Sequence, residues 1–256
     1  MNPLVTVIVF VNSEQNDCLE RTVKSVLKQT HKEFILYICC SELTVFTLEA
    51  VNSHRCDHPL IFVERHPKNS TLGSAIEATK TPYFGWLDSG DVLLPTALEE
   101  TIEAIHASPE TSVVYTSQSV VDSDWLVDDG ASSSYALYSE EKLLTDFIVT
   151  QFRLIKRSVY EKVGGINHRL PHCQDYDLIL RMSEMSNFVH IDKPLYLHRK
   201  TEGYMSHQEQ IERILWAREI ANQALQRRNL SSQYSLAVEL LPKCYLVDAI
   251  SSDVAG

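Results

Sequence analysis

What most constrains this chain is an alternation between two kinds of segment. Residues 4–11 read LVTVIVFV, apolar and rich in β-branched side chains, as a strand covered on both faces requires. Further strands are expected over 34–40, over 60–64, in the run that ends at Asp88, and over 112–116. Between the first two, Leu19, Val23, Val26 and Leu27 recur at helical spacing while Glu20, Arg21, Lys24 and Lys28 face water. Helices are also expected over 43–52, 71–80 and 96–107. Strands and helices alternating through short loops predict an α/β fold: a doubly wound, mostly parallel central sheet flanked by helices.

In such sheets ligands gather beyond the carboxyl ends of the strands. The sharpest case is Tyr83-Phe84-Gly85-Trp86-Leu87-Asp88-Ser89-Gly90-Asp91, where an apolar run stops at two acids held apart by Ser and Gly. Such carboxylates suit a hard divalent cation, Mn2+ or Mg2+, and through it a phosphate. The plain alternative is a strand, a turn and a helix with Asp91 or Thr96 near the helix start. Asn12, Cys40 and Ser41 end two other expected strands, and this topology brings them to the same edge.

From 117 to 139 the pattern gives way to a long polar loop containing Asp122, Asp124, Trp125, Asp128 and Asp129. Long loops inside compact domains are more often functional than idle, and Trp125 offers this one an aromatic face. A helical stretch over 140–147 follows, and then Gly164-Gly165. In Gln174-Asp175-Tyr176-Asp177-Leu178-Ile179-Leu180-Arg181, helical spacing pairs Asp177 with Arg181 and puts Asp175 at the helix start. Residues 210–228 form an amphipathic helix, 234–241 suit another helix, and 244–250 are apolar. The chain is thus expected to divide into a domain over 1–206 and a C-terminal helical appendage over 207–256, which docks on the domain or makes a homodimer.

Composition excludes several classes. The net charge of −11 across 256 residues, with no segregated basic run, argues against a nucleic-acid partner. No apolar stretch approaches the roughly 18 residues of a transmembrane segment. The six cysteines include no CxxC pair, so reduced thiols and a cytoplasmic setting are expected. There is no Gly-rich phosphate loop of either common type, which disfavours a nucleotidyltransferase.

Taken in order, Val5-Thr6-Val7-Ile8-Val9, residues 19–30 (LERTVKSVLKQT), Trp86-Leu87-Asp88-Ser89-Gly90-Asp91 and Pro95 resemble family-2 glycosyltransferases of the GT-A fold, of the type that builds bacterial surface polysaccharides. Val163-Gly164-Gly165, the 174–181 block, Pro194-Leu195-Tyr196-Leu197-His198-Arg199 and Met205-Ser206 extend the resemblance over roughly 4–206. It implies inverting transfer of a sugar from a nucleotide-diphosphate donor to a hydroxyl of a glycan or glycolipid acceptor. By the same resemblance Asp88 and Asp91 hold the metal, and Asn12, Cys40, Ser41, Asp88, Arg181 and Arg199 line the nucleotide-sugar site. Asp175 is the general base. The setting is cytoplasmic, or peripheral at the inner membrane. The sequence departs from the family at three points: Cys39-Cys40-Ser41 replaces paired base-binding aspartates, Gly90 stands at a usual acid, and Thr201 stands at a frequent histidine, with His198 nearby. These departures motivate an alternative, a transferase-like binding or assembly module with weakened catalysis.

Overall fold

The computed structural model describes residues 3–11, 18–40, 44, 49, 61–65, 72–127, 138–149, 151–200, 207–241 and 244–251. Asn12, Ser41, Asp128, Asp129, Thr201 and most of the helix expected over 43–52 lie outside the described residues. The chain forms two compact units. The first comprises Met1–Tyr135, Thr150–Ser158 and Phe188–Thr201; the second comprises Ala136–Val149, Val159–Asn187 and Glu202–Gly256.

The first unit is built on one sheet. Its strands are β1 (Val5–Val11), β2 (Phe34–Cys40), β3 (Ile61–Arg65), β4 (Tyr83–Asp88), β5 (Val92–Leu93), β6 (Thr111–Val121), β7 (Arg153–Lys156) and β8 (Asn187–Arg199). Its helices are α1 (Leu19–Leu27), α2 (Leu72–Glu77) and α3 (Ala97–Ala107), and α4 (Arg157–Lys162) begins in it. The spatial order is β3-β2-β1-β4-β7-β6-β8-β5. β1 lies parallel to β2 and β4, and β2 parallel to β3, as the alternation predicts. Beyond β4 the sheet turns antiparallel, through β4–β7, β6–β7 and β5–β8. The sheet is therefore mixed, with its parallel part centred on β1.

Burial explains the parallel part. Val5, Val7, Ile8 and Val9 are wholly buried, and Leu19, Val23 and Val26 of α1 join Val5, Val7 and Val9 in one cluster with Leu36, Ile38, Leu87 and Leu93. Each such aliphatic side chain contributes about 1.5–3 kcal/mol on burial. Where β4 meets β7 the strands nearly touch: a Cβ on Gly85 would lie 2.4 Å from the Arg153 carbonyl oxygen and 2.5 Å from the Phe152 ring. Only glycine fits that crossing.

β6 overruns its expected end. Residues 117–121, expected as loop, continue the strand, because Ser117 is buried and its hydroxyl finds partners on β8, His190 Nε2 at 3.0 Å and Asp192 Oδ1 at 3.2 Å. A polar composition thus hid a strand whose polar group is satisfied across the sheet. Beyond β6 the chain turns sharply, with Asp122 Oδ1 accepting from the amides of Asp124 and Leu126.

The second unit contains α5 (Gln174–Ser183) and α6 (His207–Arg227), followed by β9 (Tyr234–Leu241) and β10 (Cys244–Ser251). The stretch expected as helix over 140–147 holds only a 3-10 turn, Lys142–Leu144. The helical appendage is corrected as well. After α6 the tail is an antiparallel hairpin, with Leu241 opposite Cys244 and Tyr234 opposite Ser251. Helical propensity in 234–241 yields to cross-strand pairing with a segment that spacing alone could not match to it. Arg218 Nε donates to the Leu236 carbonyl at 2.8 Å and ties the hairpin to α6.

Candidate active site

The Asp88–Asp91 turn closes the carboxyl end of β4, and parallel register sets it beside β1, with Phe10 opposite Asp88 and Val11 opposite Cys40. Gly90 sits at φ 119°, a conformation that only glycine adopts readily. The turn is clamped from α1. Thr22 Oγ1 accepts from the Gly90 amide at 3.0 Å and donates to the Asp91 carbonyl at 2.8 Å. Ser25 Oγ accepts from the Leu93 amide at 3.1 Å. Gln29 Nε2 donates to the Leu94 carbonyl at 2.7 Å, and its Oε1 accepts from the Leu98 amide at 3.0 Å. These three clamps were missed in the sequence, although polar residues at 22, 25 and 29 on a buried helical face were the available signal.

Asp91 is buried, 4 % exposed. Its Oδ2 accepts from the Tyr196 hydroxyl and lies 3.3 Å from His198 Nδ1, and its Oδ1 accepts from the Arg199 amide at 2.9 Å. The hydrogen bond to Asp91 holds the His198 imidazole above its ordinary pKa and favours the imidazolium. Burial, reinforced by Asp91 and Asp88, pushes the Tyr196 phenol far up, so it stays a donor. Asp88, by contrast, is exposed at the strand end. Cys40 is buried.

Arg199 projects from the same strand end. Its Nη1 donates to Cys18 Sγ at 2.9 Å, and its guanidinium carbon stands 5.9 Å from the centre of the Trp125 ring. Arg181 belongs to the second unit and is engaged there. It makes four hydrogen bonds, two to Asp177 Oδ2 and one each to the Val163 and Gly165 carbonyls. The expected i,i+4 pair with Asp177 is present at 2.6 Å, and the guanidinium latches α5 to the Gly164-Gly165 turn, leaving it little to offer a phosphate.

Asp175 stands in the first turn of α5 on the rim of a cavity of about 190 Å³. Leu144, Phe147, Tyr176 and Ala217 give this cavity apolar walls, and Arg213 and Arg218 bring cationic heads to it. The Tyr176 amide donates to Asp175 Oδ1 at 2.9 Å. The neighbouring Cys173 thiol is pushed up by burial and stays protonated.

The expected ion pairs poorly with this donor set. Both Asp91 oxygens already serve protein donors, and the imidazolium-favouring His198 lies against one of them. Among the described residues no three His, Cys, Asp or Glu side chains converge as a metal site. An ion shared by Asp88 and Asp91 would compete with these donors for Asp91, whereas the exposed Asp88 is open to one.

Comparison with known proteins is consistent with this geometry. The family model described as glycosyl transferase family 2 matches residues 6–164. A chondroitin synthase of Escherichia coli is 31% identical over 182 residues, covering 69% of this chain and 26% of that protein. A hyaluronan synthase of Pasteurella multocida is 30% identical over 198 residues, covering 76% and 20%. The chain thus spans about a quarter or less of these curated relatives. Among solved structures, Staphylococcus aureus TarS 1-349 in complex with UDP-GlcNAc superposes with a TM-score of 0.66 at 14% identity, covering 89% of this chain and 70% of that one. A mannosyltransferase from Pyrobaculum calidifontis in complex with GDP-Man and Mn2+ gives 0.63 at 14% identity, covering 87% and 65%. At that identity the likeness shows a shared GT-A-like fold. No helix among the described residues is long and apolar enough to cross a membrane. With a family model matched over more than half its length, this chain belongs to glycosyl transferase family 2.

Proposed function

We propose that this chain transfers a sugar, with inversion, from a nucleotide-diphosphate donor to an acceptor hydroxyl on a growing polysaccharide or glycoconjugate. The observation that carries this reading is the clamped turn at the end of β4, with exposed Asp88 beside a rigid bracket of Asp91, Tyr196, His198 and Arg199. Asp88 is the acid placed to accept from donor hydroxyls, and Asp91 aims the strand end that carries Arg199. Relatives named for chondroitin and hyaluronan synthesis support a polysaccharide acceptor. Residues 1–206 are the transferase domain in this reading, 207–256 are an appendage, and the setting is cytoplasmic.

Asp175 acts as the base. It takes the proton of the acceptor hydroxyl as that oxygen attacks the anomeric carbon, and the bond from that carbon to the diphosphate breaks with its electron pair on the leaving group. The cavity beside Asp175, apolar with two arginines at its edge, suits an acceptor sugar. Asp88 would hold Mn2+ or Mg2+, which would offset diphosphate charge.

The test is calorimetry with UDP, GDP and their sugars, with Mn2+ and with EDTA, beside an assay of sugar-nucleotide hydrolysis. Failure of every nucleoside diphosphate to bind under both conditions would refute the reading. The replacement of base-binding acids by Cys39 and Cys40, both buried, favours a second reading, a binding module without turnover. Hydrolysis that vanishes in Asp175→Ala would dismiss it.

A further inference from the structure

Two guanidinium groups stand over one indole. The Arg21 carbon lies 4.2 Å and the Arg199 carbon 5.9 Å from the centre of the Trp125 ring. Neither arginine has a carboxylate partner among the described residues, although the chain carries 34 acids against 23 lysines and arginines. Arg199 is poorly satisfied. Its Nη1 reaches only the weakly accepting Cys18 sulfur, and its Nε is buried with no hydrogen-bond partner among the described residues. Buried donors are almost always paired, and charged ones above all. Arg21 is exposed to water, so the telling group is Arg199, whose buried Nε and position beside a second guanidinium suit an anionic ligand.

The setting of Trp125 points the same way. Its backbone sits at φ 67°, in the left-handed region that bulky residues avoid. The turn that imposes this conformation is closed by Asp122, whose side chain accepts from two amides and whose carbonyl accepts from the Trp125 amide at 3.1 Å. The Lys200 amide is joined to Val121 at the other end of the same turn, next to Arg199. Strain of this kind persists where surrounding contacts over-determine it, and such places cluster at ligand sites.

The geometry points to Trp125 as a positioning residue that stacks Arg21 and Arg199 and holds their guanidinium groups for the diphosphate of the donor. Protein cations then supply charge beside Asp91, which is buried and already engaged by three protein donors. Guanidinium forks match phosphate oxygens two at a time, and stacking on an indole fixes their planes without consuming their donors. This inference rests on the donor reading above and adds Arg21 and Trp125 to it.

Calorimetry with UDP and UMP, in EDTA and in Mn2+, tests it on wild type, Trp125→Ala, Trp125→Phe and Arg21→Gln. Trp125→Ala is expected to weaken UDP about tenfold and UMP less than about twofold. Arg21→Gln should weaken UDP about fivefold and flatten its salt dependence, and Trp125→Phe should stay within about threefold of wild type. If Trp125→Ala does not fold, Arg21→Gln and Trp125→Phe carry the comparison. Equal losses for UDP and UMP, or unchanged UDP affinity in Arg21→Gln, would overturn the inference while leaving the donor reading standing. Wild type that binds neither UDP nor GDP overturns the donor reading itself.

Discussion

Asp91 and Asp175 look alike in the sequence, each an acid beside an apolar run, yet the structure uses them in opposite ways. Asp91 is sealed in, and its oxygens serve a phenol, an imidazole and a backbone amide. Asp175 stands on the rim of a cavity, where its Oδ1 accepts from the Tyr176 amide. A carboxylate that must collect a proton has to be reachable by the hydroxyl it serves. A carboxylate that must hold a strand end works best with no access at all. The contrast teaches that an acidic motif can be sealed into the architecture at one position and left open to a cavity at another, and that burial tells them apart.

The contrast can be broken most decisively at Asp175. In Asp175→Asn, turnover should fall about a thousandfold while UDP affinity changes less than about twofold, because a general base contributes to the chemical step rather than to donor binding. Turnover that survives would assign the base elsewhere. Next comes Asp91→Ala, which strands the Tyr196 hydroxyl and the Arg199 amide. A stability loss of about 3 kcal/mol is expected in urea denaturation, against less than about 0.5 kcal/mol for Asp175→Asn. Equal stabilities would erase the difference between the two acids.

A finer probe is Thr22→Val, which keeps shape but removes the hydroxyl that joins α1 to the turn. About 1–2 kcal/mol should be lost, with a parallel weakening of UDP. Loss of stability alone would confine Thr22 to a folding role. The smallest effect concerns pH. The folded pKa of His198 is raised above its ordinary 6.5 by its bond to Asp91, so its contribution is complete below 6.5 and fades as pH rises through the folded value. His190, stacked on Tyr115 at 4.7 Å, is lowered by burial and acts with the reverse sign, weakening the fold as pH drops below 6.5. Melting temperatures across pH 5.5–8.5 should show wild type losing its advantage over His198→Gln on the alkaline side; parallel curves would mean that the imidazolium adds nothing.

Much of this was legible in the sequence. The buried strands β1, β2 and β4 announce themselves through β-branched runs, and α1 through its apolar spacing, because those patterns arise from covering each element. The Asp88–Asp91 turn was legible for the same reason: an apolar strand that stops at acids marks a sheet edge. What stayed hidden depends on partners distant in the chain. Residues 117–121 read as loop until β8 supplied His190 and Asp192 for Ser117. Residues 234–241 read as helix until β10 paired with them. That Asp91 is buried and engaged by Tyr196, His198 and Arg199 could not be read from residues 88–91 alone.

The amino-acid order alone determined which segments would be buried, where the sheet would end in acids, and which family the chain resembles. Those properties are local: a residue's polarity and its spacing along the backbone suffice to specify them. Only the tertiary structure decided that Asp91 is consumed internally, that Arg181 is a latch, and that Arg21 and Arg199 meet at Trp125. Hydrogen bonds and charge pairs are directional and short-ranged, so which groups they join depends on how the strands register, which no single stretch of sequence contains.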